Sequence, residues 1–137
     1  MFFAENLNSG TLYEPSKSPY NSRKKRVIFL PLKIYNKLVR DNIPTIIEEN
    51  GQTCSTSILD DEEYIKKIDE KLNEELCEYY KDGSVQELAD LLEVVYAAAK
   101  ARGYTQMQLE QIRLEKLKKR GGFDRRLLLI SVSDEKI

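Results

Sequence analysis

Two pairs of acidic residues, each with a spacing of three positions, are the part of this sequence best suited to chemistry. They are Glu75 and Glu78 in the stretch ELCE, and Glu87 and Asp90 in the stretch ELAD. Residues three positions apart are neighbours on the surface of a helix. Two such helices packed together would gather these carboxylates in one place, and carboxylate oxygens are the ligands that Mg²⁺ and Mn²⁺ prefer. We therefore expect these four residues to form a divalent-metal site.

The sequence contains no histidine, which excludes several kinds of active site. A Ser-His-Asp triad, a Cys-His dyad and a histidine-ligated zinc site all need an imidazole. Acid–base chemistry must therefore come from carboxylates, lysine, tyrosine, cysteine or metal-bound water. The two cysteines, Cys54 and Cys77, do not make a disulfide framework, which favours a reducing cytoplasm as the setting.

The charge of the chain is unevenly distributed. The net charge of −1 divides into +4 over residues 1–34 and −5 over residues 35–137. An acidic body is poorly suited to binding nucleic acid, so we expect no stable nucleic-acid partner. The apolar run at 27–32 is too short for a membrane span or a signal-peptide core, so no membrane association is expected.

The 137 residues suffice for one domain with a leader and a tail. A polar stretch with two prolines at 13–22 predicts that residues 1–33 form an irregular or mobile leader. The domain is then expected to span 34–133, with a tail at 134–137. The basic run Arg23–Arg26 suits a nucleic-acid or targeting patch, although a solvated run in a tail is the simpler interpretation.

Helix start and stop signals predict a mainly α-helical bundle with a small two-stranded β element. Pro44 suits the first turn of a short helix over Pro44–Asn50. Three longer helices follow, and each is expected to begin at a capping side chain: Asp60 to Lys81, Ser84 to Arg102, and Thr105 to Arg120. Two short segments have strand-like composition and are candidates for pairing: Thr53–Leu59 and Leu127–Val132.

A helical wheel places one carboxylate of each pair within an apolar face. Glu75 falls at the edge of the apolar stripe of its helix, and Glu87 falls between Val94 and Ala98 on the next helix. Glu78 and Asp90 lie on the flanks. A carboxylate near an apolar interface costs several kcal/mol unless it is compensated. Bound cations would compensate it, and so would lysine or arginine partners. The simpler alternative is that acidic helices carry solvated charge.

Together with two other motifs, these pairs resemble the all-α nucleoside triphosphate pyrophosphohydrolases, the MazG-like enzymes related to phosphoribosyl-ATP pyrophosphohydrolase and to the dimeric dUTPases. The stretch KLVRDNIP at 37–44 is similar to the opening motif of that family, and RGGF at 120–123 is similar to the sequence after its third helix. The resemblance covers about residues 35–130. One departure is that only eight residues separate Glu78 from Glu87, which is shorter than the usual gap in that family.

The resemblance implies an Mg²⁺-dependent enzyme, with Mn²⁺ as a substitute, that cleaves a nucleotide between its α- and β-phosphates. Glu75, Glu78, Glu87 and Asp90 would then be the metal ligands, and one of them, or Glu74, would orient the attacking water. Four cations are candidates for phosphate contacts: Lys37, Arg40, Lys118 and Arg120. The first two also suit ordinary surface positions, and the last two also suit C-terminal helix capping.

Enzymes of that family usually assemble as homodimers or homotetramers, so the resemblance also implies self-association. Two alternatives stay open at the level of sequence. One is phosphoribosyl-ATP hydrolysis, which breaks the same type of bond. The other is a non-catalytic helical oligomerisation or binding module that retains the acidic helices as a scaffold.

Overall fold

A computed structural model describes residues 32–134 of the chain. The chain divides into two units, residues 1–36 and residues 37–137, and the four helices found within residues 32–134 belong to the second. The predictions for the leader, including its basic run, and for most of the tail lie outside the described residues. None of the helices in the described part is both long and apolar enough to cross a membrane.

The helices form where the capping signals predict them. They are α1 (Ile43–Glu49), α2 (Asp61–Asp82), α3 (Val85–Ala101) and α4 (Gln106–Arg120). The side chain of Asp60 accepts a hydrogen bond from the backbone N–H of Glu63 at the start of α2. Thr105 and Gln108 form a complete capping box at the start of α4. These bonds satisfy backbone N–H groups that have no partner within the helix.

The main packed unit is a hairpin made of α2 and α3. The helices are joined by Gly83 and Ser84, and Gly83 adopts the left-handed conformation that glycine reaches without strain. Ile68 of α2 is buried against Val94 and Ala98 of α3. Burying a side chain of this size contributes about 1.5–3 kcal/mol. In the described residues α4 contacts only α3, and α1 contacts none of the other helices.

The predicted two-stranded β element is not shown, because residues 32–134 contain no strand. Ile58 is fully exposed in the segment 53–59, and the apolar side chains at 127–130 are also exposed. An isolated pair of strands is only marginally stable unless one face packs on a core. Neither segment covers the small core of the α2–α3 hairpin, so neither has the apolar contact that would support a strand. The mainly α-helical class is confirmed.

Candidate metal site on the α2–α3 hairpin

Three of the predicted ligands come together between the two helices of the hairpin. One carboxylate oxygen from each of Glu75, Glu87 and Asp90 lies within 4.8 Å of the others. Their burial follows the helical wheel. Glu87 is only 5% exposed, the side chain of Glu75 is 12% exposed, and that of Asp90 is 32% exposed. The two residues assigned to the apolar faces are therefore the most buried members of the group.

Glu87 is the least compensated carboxylate of the three. Its backbone N–H donates to the hydroxyl of Ser84 at 3.4 Å, which caps α3. The reciprocal half of a capping box would use the Glu87 carboxylate, but that carboxylate has no hydrogen bond or ion pair within residues 32–134. It is directed instead towards Glu75 and Asp90. In the described residues no side-chain oxygen is both fully buried and without a partner, so the Glu87 carboxylate keeps a small contact with solvent. A largely buried carboxylate beside two others is still unfavourable unless a cation joins them.

The other two carboxylates already have basic partners, and the partner of Glu75 lies on its own helix. Lys71 Nζ lies 2.8 Å from Glu75 Oε1 and 3.1 Å from Glu74 Oε1. Glu74 also receives a hydrogen bond from Lys37 at 2.8 Å. Partial burial by itself would lower the pKa of Lys71, but hydrogen bonds to Glu75 and Glu74 outweigh it and raise that pKa. Lys71 is therefore firmly charged.

The same contacts bear on Glu74, the candidate water-orienting base. Burial by itself would raise the pKa of Glu74, but hydrogen bonds from Lys37 and Lys71 outweigh it and lower that pKa. A lowered pKa makes the carboxylate a weaker base. Glu74 also lies outside the group of three carboxylates. Its observed contacts suit the positioning of two lysines better than proton abstraction.

The residues Lys37–Arg40, here called the 37–40 segment, connect both helices of the hairpin. Leu38 is half-buried and packs against the core of the hairpin. On either side of it, Lys37 contacts Glu74 of α2, and Arg40 Nη2 lies 2.6 Å from Asp90 Oδ1 of α3. The apolar contact of Leu38 thus holds two cations at the edge of the carboxylate group. Both were sequence candidates for phosphate contacts.

The remaining candidates lie elsewhere. Glu78 is not part of the group of three carboxylates and instead pairs with Lys81 at 2.9 Å. Lys118 and Arg120 lie in the exposed last turn of α4, and neither forms an ion pair in the described part of the chain. Their position fits C-terminal helix capping, which the sequence offers as the alternative to phosphate contact.

Lys71 is the charged side chain at this site that the sequence analysis does not identify. It precedes Glu74 by three positions and Glu75 by four, a spacing at which opposite charges meet on a helix. That spacing was visible in the sequence. Its importance depends on the burial of Glu75, which only the packing of α2 on α3 determines.

Comparison with protein-family models, with curated proteins and with solved structures finds no match for this chain.

Proposed function

We propose that this protein is a divalent-metal-dependent nucleoside triphosphate pyrophosphohydrolase that uses Mg²⁺ or Mn²⁺. The observation that carries the proposal is the meeting of Glu75, Glu87 and Asp90 within 4.8 Å, with the most buried of them lacking any basic partner in the described residues. Oxygen ligands in this number suit Mg²⁺, which is usually bound by a few carboxylates, water and substrate phosphates. The resemblance of the motifs at 37–44 and 120–123 supports the same activity.

The charges around the site fit a cation. Four carboxylates, those of Glu74, Glu75, Glu87 and Asp90, face three basic side chains, those of Lys37, Arg40 and Lys71. These seven side chains together carry a net charge of −1, and the carboxylate without a basic partner is that of Glu87. Glu78 is proposed as a fourth ligand, because its partner Lys81 is a 70% exposed neighbour on the same helix. Exposed pairs of this kind contribute little and are readily exchanged.

In the proposed reaction, a water oxygen bonds to the α-phosphorus while the bond from that phosphorus to the α–β bridging oxygen breaks. The products are a monophosphate and pyrophosphate. When bound, the metal would neutralise phosphate charge and acidify the attacking water. Lys37 and Arg40, held at the rim by Leu38, would contact the phosphates and orient the triphosphate group of the substrate. The carboxylates of Glu75, Glu78, Glu87 and Asp90 would hold the metal, and one of them would accept the proton.

Self-association forms part of the proposal and is supported by the exposed apolar surface. In the described residues the buried apolar side chains are only Ile68, Val94 and Ala98. Large apolar side chains are exposed on α3, on α4 and in the C-terminal segment: Val85, Leu88, Leu92, Met107, Leu114, Leu117 and Leu127–Ile130. A core this small supplies little stability by itself. A homodimer or homotetramer would bury more of this surface.

The experiment that tests the proposal is a panel of ribo- and deoxyribonucleoside triphosphates, assayed with and without Mg²⁺. Pyrophosphate and orthophosphate are measured separately, and phosphoribosyl-ATP is included as a substrate with the same bond type. Metal-dependent release of pyrophosphate supports the proposal, whereas release of orthophosphate contradicts α–β cleavage. Glu87→Gln is expected to lower turnover by about two orders of magnitude, the upper end of what is lost when a metal ligand is merely perturbed. Glu93→Gln, the same change at an exposed position of α3, should leave turnover unchanged.

A second candidate is a non-catalytic helical module. It is favoured by the observation that Glu75 and Asp90 already have basic partners at 2.8 Å and 2.6 Å. On this alternative the cluster holds the 37–40 segment against the hairpin. No product across the whole panel, at any metal concentration, would favour this alternative.

A further inference from the structure

The two cations that contact the carboxylate group are held in different ways. Lys71 belongs to α2 itself, its side chain is only 16% exposed, and it contacts two carboxylates. Arg40 belongs to the 37–40 segment, its side chain is 56% exposed, and one nitrogen contacts one oxygen of Asp90. Its guanidinium has no other partner in the described residues. Lys71 is therefore a fixed part of the site, whereas Arg40 can leave it.

A divalent ion and Arg40 compete for Asp90. Carboxylate oxygens bind Mg²⁺ at about 2.1 Å, and Arg40 Nη2 already lies 2.6 Å from Asp90 Oδ1. The guanidinium nitrogen and an ion on that oxygen would be separated by less than the sum of these two distances. At such a separation their repulsion outweighs the small stability of an exposed ion pair. Ion binding must therefore weaken the contact between Arg40 and Asp90.

Once released, Arg40 remains next to the site, because Leu38 packs against the hairpin core and keeps the 37–40 segment in place. A guanidinium group has a planar arrangement of donors that suits phosphate oxygens and binds them in a bidentate manner. Metal-bound phosphate would bring such oxygens to this rim. The group that the ion displaces is thus well suited to bind the anion that accompanies the ion.

We propose that Arg40 is an exchangeable counter-ion, which binds Asp90 when the metal is absent and phosphate when the metal is present. This inference rests on the proposed metal site. It predicts that the divalent ion and phosphate bind cooperatively and that Arg40 couples them. Because Arg40 competes with the ion for Asp90, removing Arg40 must tighten the binding of the metal alone.

The test is a titration of the full-length chain with Mn²⁺, followed by electron paramagnetic resonance of the free ion, in the absence of nucleotide. Arg40→Gln should bind Mn²⁺ roughly 1.4- to fivefold more tightly than wild type, the range expected when an exposed ion pair no longer competes. The matched control is Arg113→Gln, which removes the same charge from an equally exposed arginine that pairs with Glu110 on α4. This control should leave the affinity unchanged.

A second measurement uses wild-type protein and does not depend on any variant folding. The side-chain ¹⁵N signals of arginine are followed by NMR as Mg²⁺ and then inorganic phosphate are added. The Arg40 signal, assigned by its loss in Arg40→Gln, should shift with Mg²⁺ and shift again with phosphate only when Mg²⁺ is present. The exchange is overturned if the Arg40 signal does not shift with Mg²⁺, or if it shifts with phosphate equally when Mg²⁺ is absent.

The outcomes separate this inference from the proposed reaction. Tighter Mn²⁺ binding by Arg40→Gln together with no pyrophosphate from any nucleotide would support the exchange and reject hydrolysis. Pyrophosphate release together with unchanged or weaker Mn²⁺ binding by Arg40→Gln would support hydrolysis and reject the exchange. If wild type binds no Mn²⁺ at all, both fail.

Discussion

Replacing Glu87 with glutamine should stabilise the metal-free protein, although substitutions of buried residues usually destabilise. Glutamine keeps the size of the side chain and removes its charge. The carboxylate oxygens of Glu87, Glu75 and Asp90 lie within 4.8 Å of one another, in the described part of the chain. At that separation each like-charged pair repels by about 0.9 kcal/mol at the dielectric constant of water and by about 3.5 kcal/mol at an effective value near 20. Arg40 and Lys71 offset part of this repulsion.

We therefore expect Glu87→Gln to raise the free energy of unfolding by about 1–3 kcal/mol in the presence of a chelator. For a domain of this size, about 1 kcal/mol corresponds to a rise in Tm of roughly 4 °C or more. The assay is thermal unfolding followed by circular dichroism, in EDTA and then in millimolar Mg²⁺ or Mn²⁺. Wild type should gain stability with the ion, since the ion binds only the folded state. Glu87→Gln should gain much less.

The signature is thus a pair of opposite changes: higher stability without the metal and a smaller response to it. Glu93→Gln removes the same charge from an exposed position of the same helix and should change neither quantity. The reasoning is refuted if Glu87→Gln melts at a lower temperature than wild type in EDTA, because Glu87 would then be a stabilising structural partner. It is also refuted if the variant keeps the full stabilisation by the ion.

Three further predictions concern the hairpin that carries the site. Gly83→Ala should lower the free energy of unfolding, measured in urea, by about 1–2 kcal/mol. The cost is backbone strain alone, because Gly83 has φ +68° and an added Cβ would meet nothing within 4 Å. Gly122→Ala is the control and should have little effect, because Gly122 has no positive φ. Arg102 and Asp69 join α3 to α2 through contacts of 2.8 and 3.1 Å, and a double-mutant cycle with alanine should measure a coupling of about 0.2–1 kcal/mol that falls as salt is added. The pKa of Glu74 is lowered in the folded state, so its stabilising contribution is present above its pKa in the unfolded chain and is lost as the pH falls through the folded value. Glu74→Gln should therefore flatten the loss of stability on the acid side of about pH 4, measured by urea unfolding at a series of pH values.

The helices and their boundaries could be predicted from the sequence because local chemistry determines them. Asp60 and Thr105 cap the helices that follow them, as their side chains predict, and the glycine after Asp82 ends α2. The helical wheel likewise predicted that Glu87 shares a face with Val94 and Ala98, and all three are buried. Each of these features depends on residues within a few positions of one another.

Features that depend on contacts distant in sequence could not be predicted. The segments at 53–59 and 127–132 have strand-like composition, but a strand also needs a partner and a core to cover. The pairing of Arg40 with Asp90 spans 50 positions and depends on how Leu38 packs. The sequence also predicted four converging carboxylates, whereas three meet in the described residues and Glu78 pairs with Lys81, three positions away on the same helix.

The short turn at Gly83 and Ser84 has a consequence for the order of events in folding. The three carboxylates that meet all belong to one helical hairpin, and the most distant two, Glu75 and Asp90, are fifteen positions apart. Contacts of such low sequence separation form early, on the microsecond scale of helix growth and short loop closure. An ion that binds them can therefore stabilise the transition state for folding. In a stopped-flow experiment, Mg²⁺ should then accelerate refolding, rather than only retard unfolding.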